Sequence, residues 1–446
     1  MRSKLEFEIY LSRGSYIWSA TDLDERLRPR HILDYCLSQN YSRNKRQLNR
    51  QILQVFERVI LSKAQCRSFF FGLAICATTL FAVGAAQATE RFDFYDGIRE
   101  LSMGGAAVAT VNDETALLLN PAALGRLRNY FVTVLDPEID IGAKTQSMIG
   151  SDVTKFLDPQ KVLDACNASK GEHLHERAQL FPSFVVTNFG FGFYARYATD
   201  AFVDAYNGNP FTYQYRNDYA GVLGFNLRLF DGRVKIGANA RGVNRVESNR
   251  TDIPSTSTGL TKTTVVNNVT VVSEGFGVGS DAGLILSAPW TAIPTLAVVY
   301  RDIGTTSYTI NHGSEYSTTF RPARTPGTLD AGFSLNPILS NNVRMVFTAE
   351  MRDVMDAVEP KTVDASDQVM RRLHGGVELN IYDVFYIRAG YNQGYWTAGI
   401  ELSMLNTQLQ FSSYGEEIGD VVAPGSGNTY KAKEDRRYAA KFAYRF

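Results

Sequence analysis

The connections between alternating stretches leave few folds open to this chain. From about residue 130 to the C-terminus, apolar and polar residues alternate in about fourteen runs, near 130–141, 180–188, 190–199, 217–229, 233–247, 276–288, 294–303, 328–336, 342–353, 371–381, 384–391, 394–403, 406–415 and 436–446. Every second connection is tight: Asn188–Phe189, Phe230–Gly232, Ala288–Ile293, Asn336–Asn341, Tyr382–Asp383 and Met404–Leu405. The others, roughly 142–179, 200–216, 248–275, 304–327, 354–370 and 416–435, are long and rich in Asn, Ser, Thr, Gly and Asp, and only Asn392–Gly394 breaks the rule. A soluble sandwich has no reason to sort its loops by length. A transmembrane β-barrel does, because short turns lie on the periplasmic side and long loops outside. The expected fold is therefore all-β, an antiparallel transmembrane barrel of about 14 strands.

The strands are two-sided in the way a barrel requires. In the run near 233–247, Val234, Ile236, Ala238 and Ala240 oppose Lys235, Asn239 and Arg241. Near 342–353, Val343, Met345, Phe347, Ala349 and Met351 oppose Arg344, Thr348, Glu350 and Arg352. Near 371–381, Leu373, Val377, Leu379 and Ile381 oppose His374, Glu378 and Asn380. The last run puts Tyr438, Ala440, Phe442, Tyr444 and Phe446 outward and Lys441 and Arg445 inward, and an even strand number returns Phe446 to the periplasmic side. This strand is expected to pair with the one near Tyr130. A mean hydropathy of −0.17 excludes a bundle of apolar helices but not a barrel, in which only alternate residues meet lipid.

One long apolar run, Ser68 to Ala86, follows Lys63 and Arg67 and ends in Ala86-Gln87-Ala88. Basic flank, apolar centre and small residues at the end describe a secretory signal over 63–88, cleaved before Thr89, rather than a membrane helix. Residues 1–62 are polar and basic, and no Met occurs between Met1 and Met103. They read as an upstream extension from a mis-called start, with initiation at a non-Met codon near Val55 to Leu61. N-terminal sequencing of the exported protein tests this, and a mature chain beginning before residue 60 overturns it. Of 46 basic and 46 acidic residues, positions 1–88 carry 13 and 7, which leaves 33 basic against 39 acidic, with no basic face for nucleic acid. Cys166 is the one cysteine left, so no internal disulfide staples the mature chain.

Residues 89–128 do not alternate. Ser102-Met103-Gly104-Gly105-Ala106-Ala107 is built of small residues that allow close backbone approach, and Asp113 caps a short helix over Ala116–Leu119 that Asn120-Pro121 ends. Such a segment is either a soluble leader or a plug inside the barrel at 129–446. The Gly-Gly-Ala element, the Asn112-Asp113 step and Asn120-Pro121-Ala122 resemble the N-terminal hatch of the FadL-type outer-membrane transport superfamily. In style they are closest to the PorV/PorQ-like and TraF-like outer-membrane proteins. The resemblance implies that Gly104, Gly105, Asn120, Pro121 and Ala122 lie in a hatch within the lumen, with a structural role or a ligand contact. It also implies passage of hydrophobic compounds or handling of exported material across the outer membrane, and, as the alternative, a non-conducting scaffold or secretion component that binds partners through its outer loops. The inward residues Lys235, Arg241, Arg344, Glu350, Arg352, Glu378, Arg388 and Glu401 are charged, which departs from an apolar route for fatty acids.

The expected partners are outer-membrane lipid, the barrel-assembly machinery, and hydrophobic small molecules or secreted proteins. The terminal Phe446 resembles the assembly signal of such barrels, so its loss is expected to impair insertion before transport. Cys166, His173, His175 and Glu176 carry metal-compatible atoms but match no zinc spacing, and read as a solvated outer loop. His374 beside Glu378 has no visible nucleophile, and there is no phosphate-binding glycine loop or nucleophile elbow. No enzyme activity, cofactor or metal is expected. Within 152–178, Val153, Phe156, Leu157, Val162 and Leu163 recur at helical spacing interrupted by Pro159, a segment that caps the mouth, folds over the rim or binds a partner.

Overall fold

The computed structural model describes residues 93–446 apart from 129, 150–157, 205–209, 262–271, 311–315, 317, 356–364 and 420–431. The expected extension over 1–62, the signal over 63–88, the start of the 89–128 segment and residues 152–157 of the outer loop lie outside the described residues.

A single antiparallel sheet of seventeen segments closes on itself. Two strands are each interrupted once at a proline, and the three-residue piece Ile338–Ser340 belongs to a turn, so the barrel has fourteen strands. They are β1 (Phe131–Leu135 and Glu138–Gly142), β2 (Leu174–Leu180 and Ser183–Val186), β3 (Phe189–Val203), β4 (Pro210–Leu229), β5 (Val234–Pro254), β6 (Ser273–Ser287) and β7 (Thr295–Arg301). The circuit continues through β8 (Thr328–Leu335), β9 (Val343–Met351), β10 (Leu373–Ile381), β11 (Phe385–Asn392), β12 (Tyr395–Met404), β13 (Thr407–Glu417) and β14 (Glu434–Arg445). Closure is made as the last run predicts. β14 pairs with β1 from Arg437 opposite Gly142 to Lys441 opposite Glu138, and Phe446 exchanges two 3.0 Å backbone hydrogen bonds with Val132. The interruptions, Asp136-Pro137 in β1 and Phe181-Pro182 in β2, sit in adjacent strands, because proline has no N–H for the ladder. The Asp136 carboxylate repairs part of the loss by accepting from the Phe181 N–H at 2.6 Å.

The alternation assigns the faces correctly. Ile236, Leu223, Phe225, Leu227, Leu286, Phe347, Ile400, Phe411 and Phe442 are exposed on the outer wall, whereas Lys235, Asn239, Arg241, Glu350, Glu378, Arg388, Glu401 and Lys441 are buried inside. Arg344 is the exception among the expected inward charges. It lies at the end of β9, half exposed, and pairs with Asp383 in the neighbouring turn. The tight turns bend through left-handed residues such as Asn188, Asp231, Asp383 and the Gln393-Gly394 pair.

Several strands run further outward than the alternation indicates. β2 begins at Leu174 rather than near 180, β4 has 20 residues and β5 has 21, whereas β7 has 7. At 3.4 Å per residue that is about 70 Å of strand on one side against about 24 Å on the other. Above the membrane the outward face need not be apolar, so the periodic signal fades while the hydrogen-bonded ladder continues. This tall side has its own apolar core. The helix Pro159–Ala168 buries Val162, Leu163 and Cys166 in a cluster with Ala201, Val203, Phe211, Tyr213, Val246 and Ile253. Pro159 opens this helix at its first position, where no N–H is needed, instead of interrupting it.

Candidate functional site

Residues 93–128 are packed against the inward faces of the strands. The first helix, α1 (Ile98–Ser102), ends in a turn where Gly104 and Gly105 have φ of +71° and +81°. A second helix, α2 (Ala116–Leu119), passes through Asn120 into a 3-10 turn, Pro121–Arg126. The wall receives both by omitting side chains. A Cβ at Gly376 or Gly390, cross-strand partners on β10 and β11, would overlap the backbone of Met103 or Gly104, and one at Gly399 on β12 would overlap Ser102. On the opposite side Gly237 and Gly283, partners on β5 and β6, leave room for Pro121 and Asn120, and Gly224 on β4 leaves room for Leu117. Sequence reasoning singled out the glycines of the segment and missed these complementary glycines of the wall. The available signal is a glycine at an inward position in several strands.

The two sides hold the segment by different chemistry. On the side of β9 to β14 the contacts are charged and directional. Glu350 accepts from the Ala107 and Val108 N–H groups at 2.8 and 2.7 Å. Arg99 reaches Glu378 at 3.0 Å, and Glu378 is shared with Arg388 at 2.7 Å. Arg352 pairs with Asp93 and donates to the Gly105 carbonyl, while Arg445 pairs with Glu114 at 3.0 Å. Thr397 closes the α1 end by accepting from Gly104 N and donating to Ser102 O, both at 3.0 Å.

On the side of β2 to β7 the segment meets an apolar surface. Ala116, Leu117, Leu118, Leu119, Ala122 and Leu124 share a buried cluster with Phe181, Val185, Tyr194, Ala220, Val222, Val243, Ile285 and Val299. The charges of these strands are paired within the wall, Arg241 to Asp302 at 2.6 Å, Arg245 to Asp218 at 2.7 Å and Arg301 to Asp330 at 2.6 Å. Arg241 also lies 4.6 Å from the centre of the Phe94 ring. The polar links to the segment here are neutral along α2 and its 3-10 turn, from Asn239 to Leu117 O at 2.8 Å and from Asn226 to Ala122 O at 2.9 Å, and are joined by three arginines, Arg196 on Asp93 O at 2.6 Å, Arg301 on Leu118 O at 3.3 Å and Arg177 at 3.6 Å from the Asp96 carboxylate. Asn120 is fully buried. Its amide donates to Val108 O at 2.8 Å and its carbonyl accepts from Ala122 N at 3.0 Å, so its side chain ties the two halves of the segment together.

Among the described residues of the segment, the Tyr95 hydroxyl and the Glu100 carboxyl lack this satisfaction. The Glu100 carboxyl is buried, its Oε2 makes no hydrogen bond, and it lines a small polar cavity with Asp113, Glu114, Tyr95 and Lys441. Burial, with the Asp113 charge nearby, pushes its pKa up to about 7.

The loop reading of the histidines is corrected by the structure. His175 faces inward on β2, with Nδ1 2.6 Å from Asp200 on β3 and Nε2 3.7 Å from Asp140 on β1. His173 lies 3.2 Å from Asp435 on β14, and Arg177 lies 2.9 Å from Asp140. This buried cluster ties together the strands at the closure seam. Cys166 is elsewhere, in the outer apolar cluster, where burial pushes its thiol up to about 12. Among the described residues no group of three or more His, Cys, Asp and Glu side chains is arranged to hold a metal ion. His374 faces inward on β10 with Nδ1 2.8 Å from the Gly104 carbonyl, and so touches the turn of the segment, while its expected neighbour Glu378 is engaged by two arginines.

No protein-family model and no curated protein matches the chain. Among solved structures it is similar to the CymD monoaromatic hydrocarbon channel, at 11% identity over 78% of this chain and 96% of that one, with a TM-score of 0.45. The Ralstonia pickettii toluene transporter TbuX matches at 13% identity over 78% and 97%, with a TM-score of 0.41. A Pseudomonas aeruginosa FadL homologue matches at 11% identity over 81% and 98%, with a TM-score of 0.39. At such identities the likeness is one of fold.

Proposed function

We propose that this barrel passes hydrophobic compounds across the outer membrane of a Gram-negative bacterium, with residues 97–125 as the hatch that closes its lumen. The observation that carries this reading is the apolar surface between α2 with its 3-10 turn and the inward faces of β2 to β7. Contacts of that kind are non-directional, so an apolar molecule can replace them without leaving a buried donor or acceptor unmet. Gly104, Gly105, Asn120, Pro121 and Ala122 shape the hatch, and Phe446 presents the finished strand to the barrel-assembly machinery. The compounds for which the similar channels are named, monoaromatic hydrocarbons and toluene, are the first to try. The test measures toluene entry into outer-membrane vesicles and single-channel conductance in a bilayer. Deleting residues 97–125 raises conductance, and Ala220→Trp, which narrows the apolar side, lowers toluene entry. Unchanged conductance after the deletion removes the hatch from the reading.

A second reading rests on the tall outer side, which carries its own apolar core under the helix Pro159–Ala168. In that reading the outer extension docks a secreted or surface protein and nothing passes the lumen. A pull-down with the 142–173 loop shortened separates the two, since transport without partner loss favours the first.

A further inference from the structure

An apolar cleft of about 340 Å³ opens on the outer wall across β2 to β6. Leu180, Phe193, Tyr219 and Phe276 bound it, and Gly221 and Gly242 form its floor. It faces away from the lumen, for Phe193 is 66% and Tyr219 52% exposed, while their sequence neighbours Tyr194 and Ala220 are buried inside. Gly221 and Gly242 are direct partners in the ladder, flanked in register by Phe193 on β3 and Val278 on β6. The floor is therefore unbroken sheet, and the cleft is a recess in the wall and not a passage through it.

The two glycines are not equivalent. A Cβ on Gly242 would lie 2.8 Å from the Phe276 ring, so a side chain there has to displace that ring. A Cβ on Gly221 would meet nothing nearer than Phe193 at 4.0 Å, and its φ is not in the left-handed region. Glycine within a strand weakens it, so the space over Gly221 is left open without benefit to this chain's packing. The surroundings are graded. Toward the periplasm the cleft runs into Leu223, Phe225, Leu227 and Ile236 of the lipid-facing belt. On its outer side Asn217 donates to the Tyr219 hydroxyl at 3.2 Å and Asn244 donates to Glu274 at 3.1 Å. The apolar lining offers water too few polar partners.

We propose that this cleft is a lipid site that seats one acyl chain of an outer-membrane lipid, with the head group toward Asn217 and Asn244. Continuity with the lipid-facing belt below and the polar edge above select an amphipathic chain over a wholly apolar solute. The test uses the full mature barrel in phosphatidylcholine vesicles doped with a phosphatidylcholine that carries a diazirine in its acyl chain, with labelled peptides mapped by mass spectrometry. In the parent protein label concentrates on residues 193–195, 219–221 and 242–244. Gly221→Leu, which the surrounding side chains accommodate, lowers that label at least fivefold with the melting temperature and labelling elsewhere on the belt retained. Ala238→Leu, on the same wall outside the cleft, leaves it unchanged. Label spread evenly around the belt, label indifferent to Gly221→Leu, or cross-links from these positions to a second barrel overturn the proposal.

Discussion

The lumen of this barrel has two walls that grip the same segment differently. Toward β9 to β14 the segment is fastened by groups that tolerate little displacement, such as Glu350 on two adjacent N–H groups and Arg99 on Glu378. Toward β2 to β7 it rests chiefly on Leu, Val, Ala and aromatic side chains, and most charges of that wall are paired within it, with Arg177, Arg196 and Arg301 the arginines that also reach the segment. A buried ion pair is costly to break because each partner is left without a counter-charge, whereas apolar surfaces slide or admit another apolar body at small cost. The asymmetry assigns the charged side the part of an anchor and the apolar side the part of the face that opens.

The largest expected effect breaks the anchor. Glu378→Leu leaves Arg99 and Arg388 buried without their shared carboxylate and is expected to cost about 3–5 kcal/mol, read as a lower urea midpoint for the refolded barrel. It also exposes Leu101–Gly105 to protease. On the other wall Leu117→Ala opens a cavity worth about 2–4 kcal/mol, with protease access confined to 116–124. If both variants expose the same peptide bonds, the two walls do not differ in the way described.

A third change acts within the segment. The pKa of Glu100 is raised, so the folded protein holds that proton more tightly than the unfolded chain. Its contribution to stability is therefore full at low pH and declines as pH rises from the ordinary carboxylate range to about 7. Glu100→Gln removes that decline and is expected to stabilise the barrel by roughly 2 kcal/mol above pH 7, with no gain near pH 4. Equal melting-temperature shifts at both pH values would refute this. The smallest effect is at Arg344, whose half-exposed pair with Asp383 lies at the rim, away from both walls. Arg344→Ala is expected to change stability by less than about 1 kcal/mol.

Individual residues show how far the sequence could be read. Lys441 and Tyr438 fall on opposite faces of β14 as their alternation requires, because a strand's period of two is local and a membrane enforces it. The alternation failed at His173 and His175. β2 begins just after His173, and Glu176 interrupts the apolar residues Leu174, Ala178 and Leu180 on its outward face, so the periodic signal is broken there and the residues looked like loop. The partners of these histidines, Asp200 and Asp435, are supplied by other strands. The wall glycines were unread for the same reason. Gly376 and Gly390 explain each other only beside Met103 and Gly104, more than 270 positions earlier.

What the sequence determined alone was what depends on near neighbours: the strand number, the face of most side chains, the tight turns and the pairing of the last strand with the first. Hydrogen-bonded ladders and the exclusion of polar groups from lipid impose those patterns residue by residue. Tertiary structure alone decided which carboxylate meets which guanidinium across the lumen, which wall is apolar, and where glycines leave space for a backbone inside or a cleft outside. These are set by distances between strands far apart in the chain, and burial gives them their energetic weight.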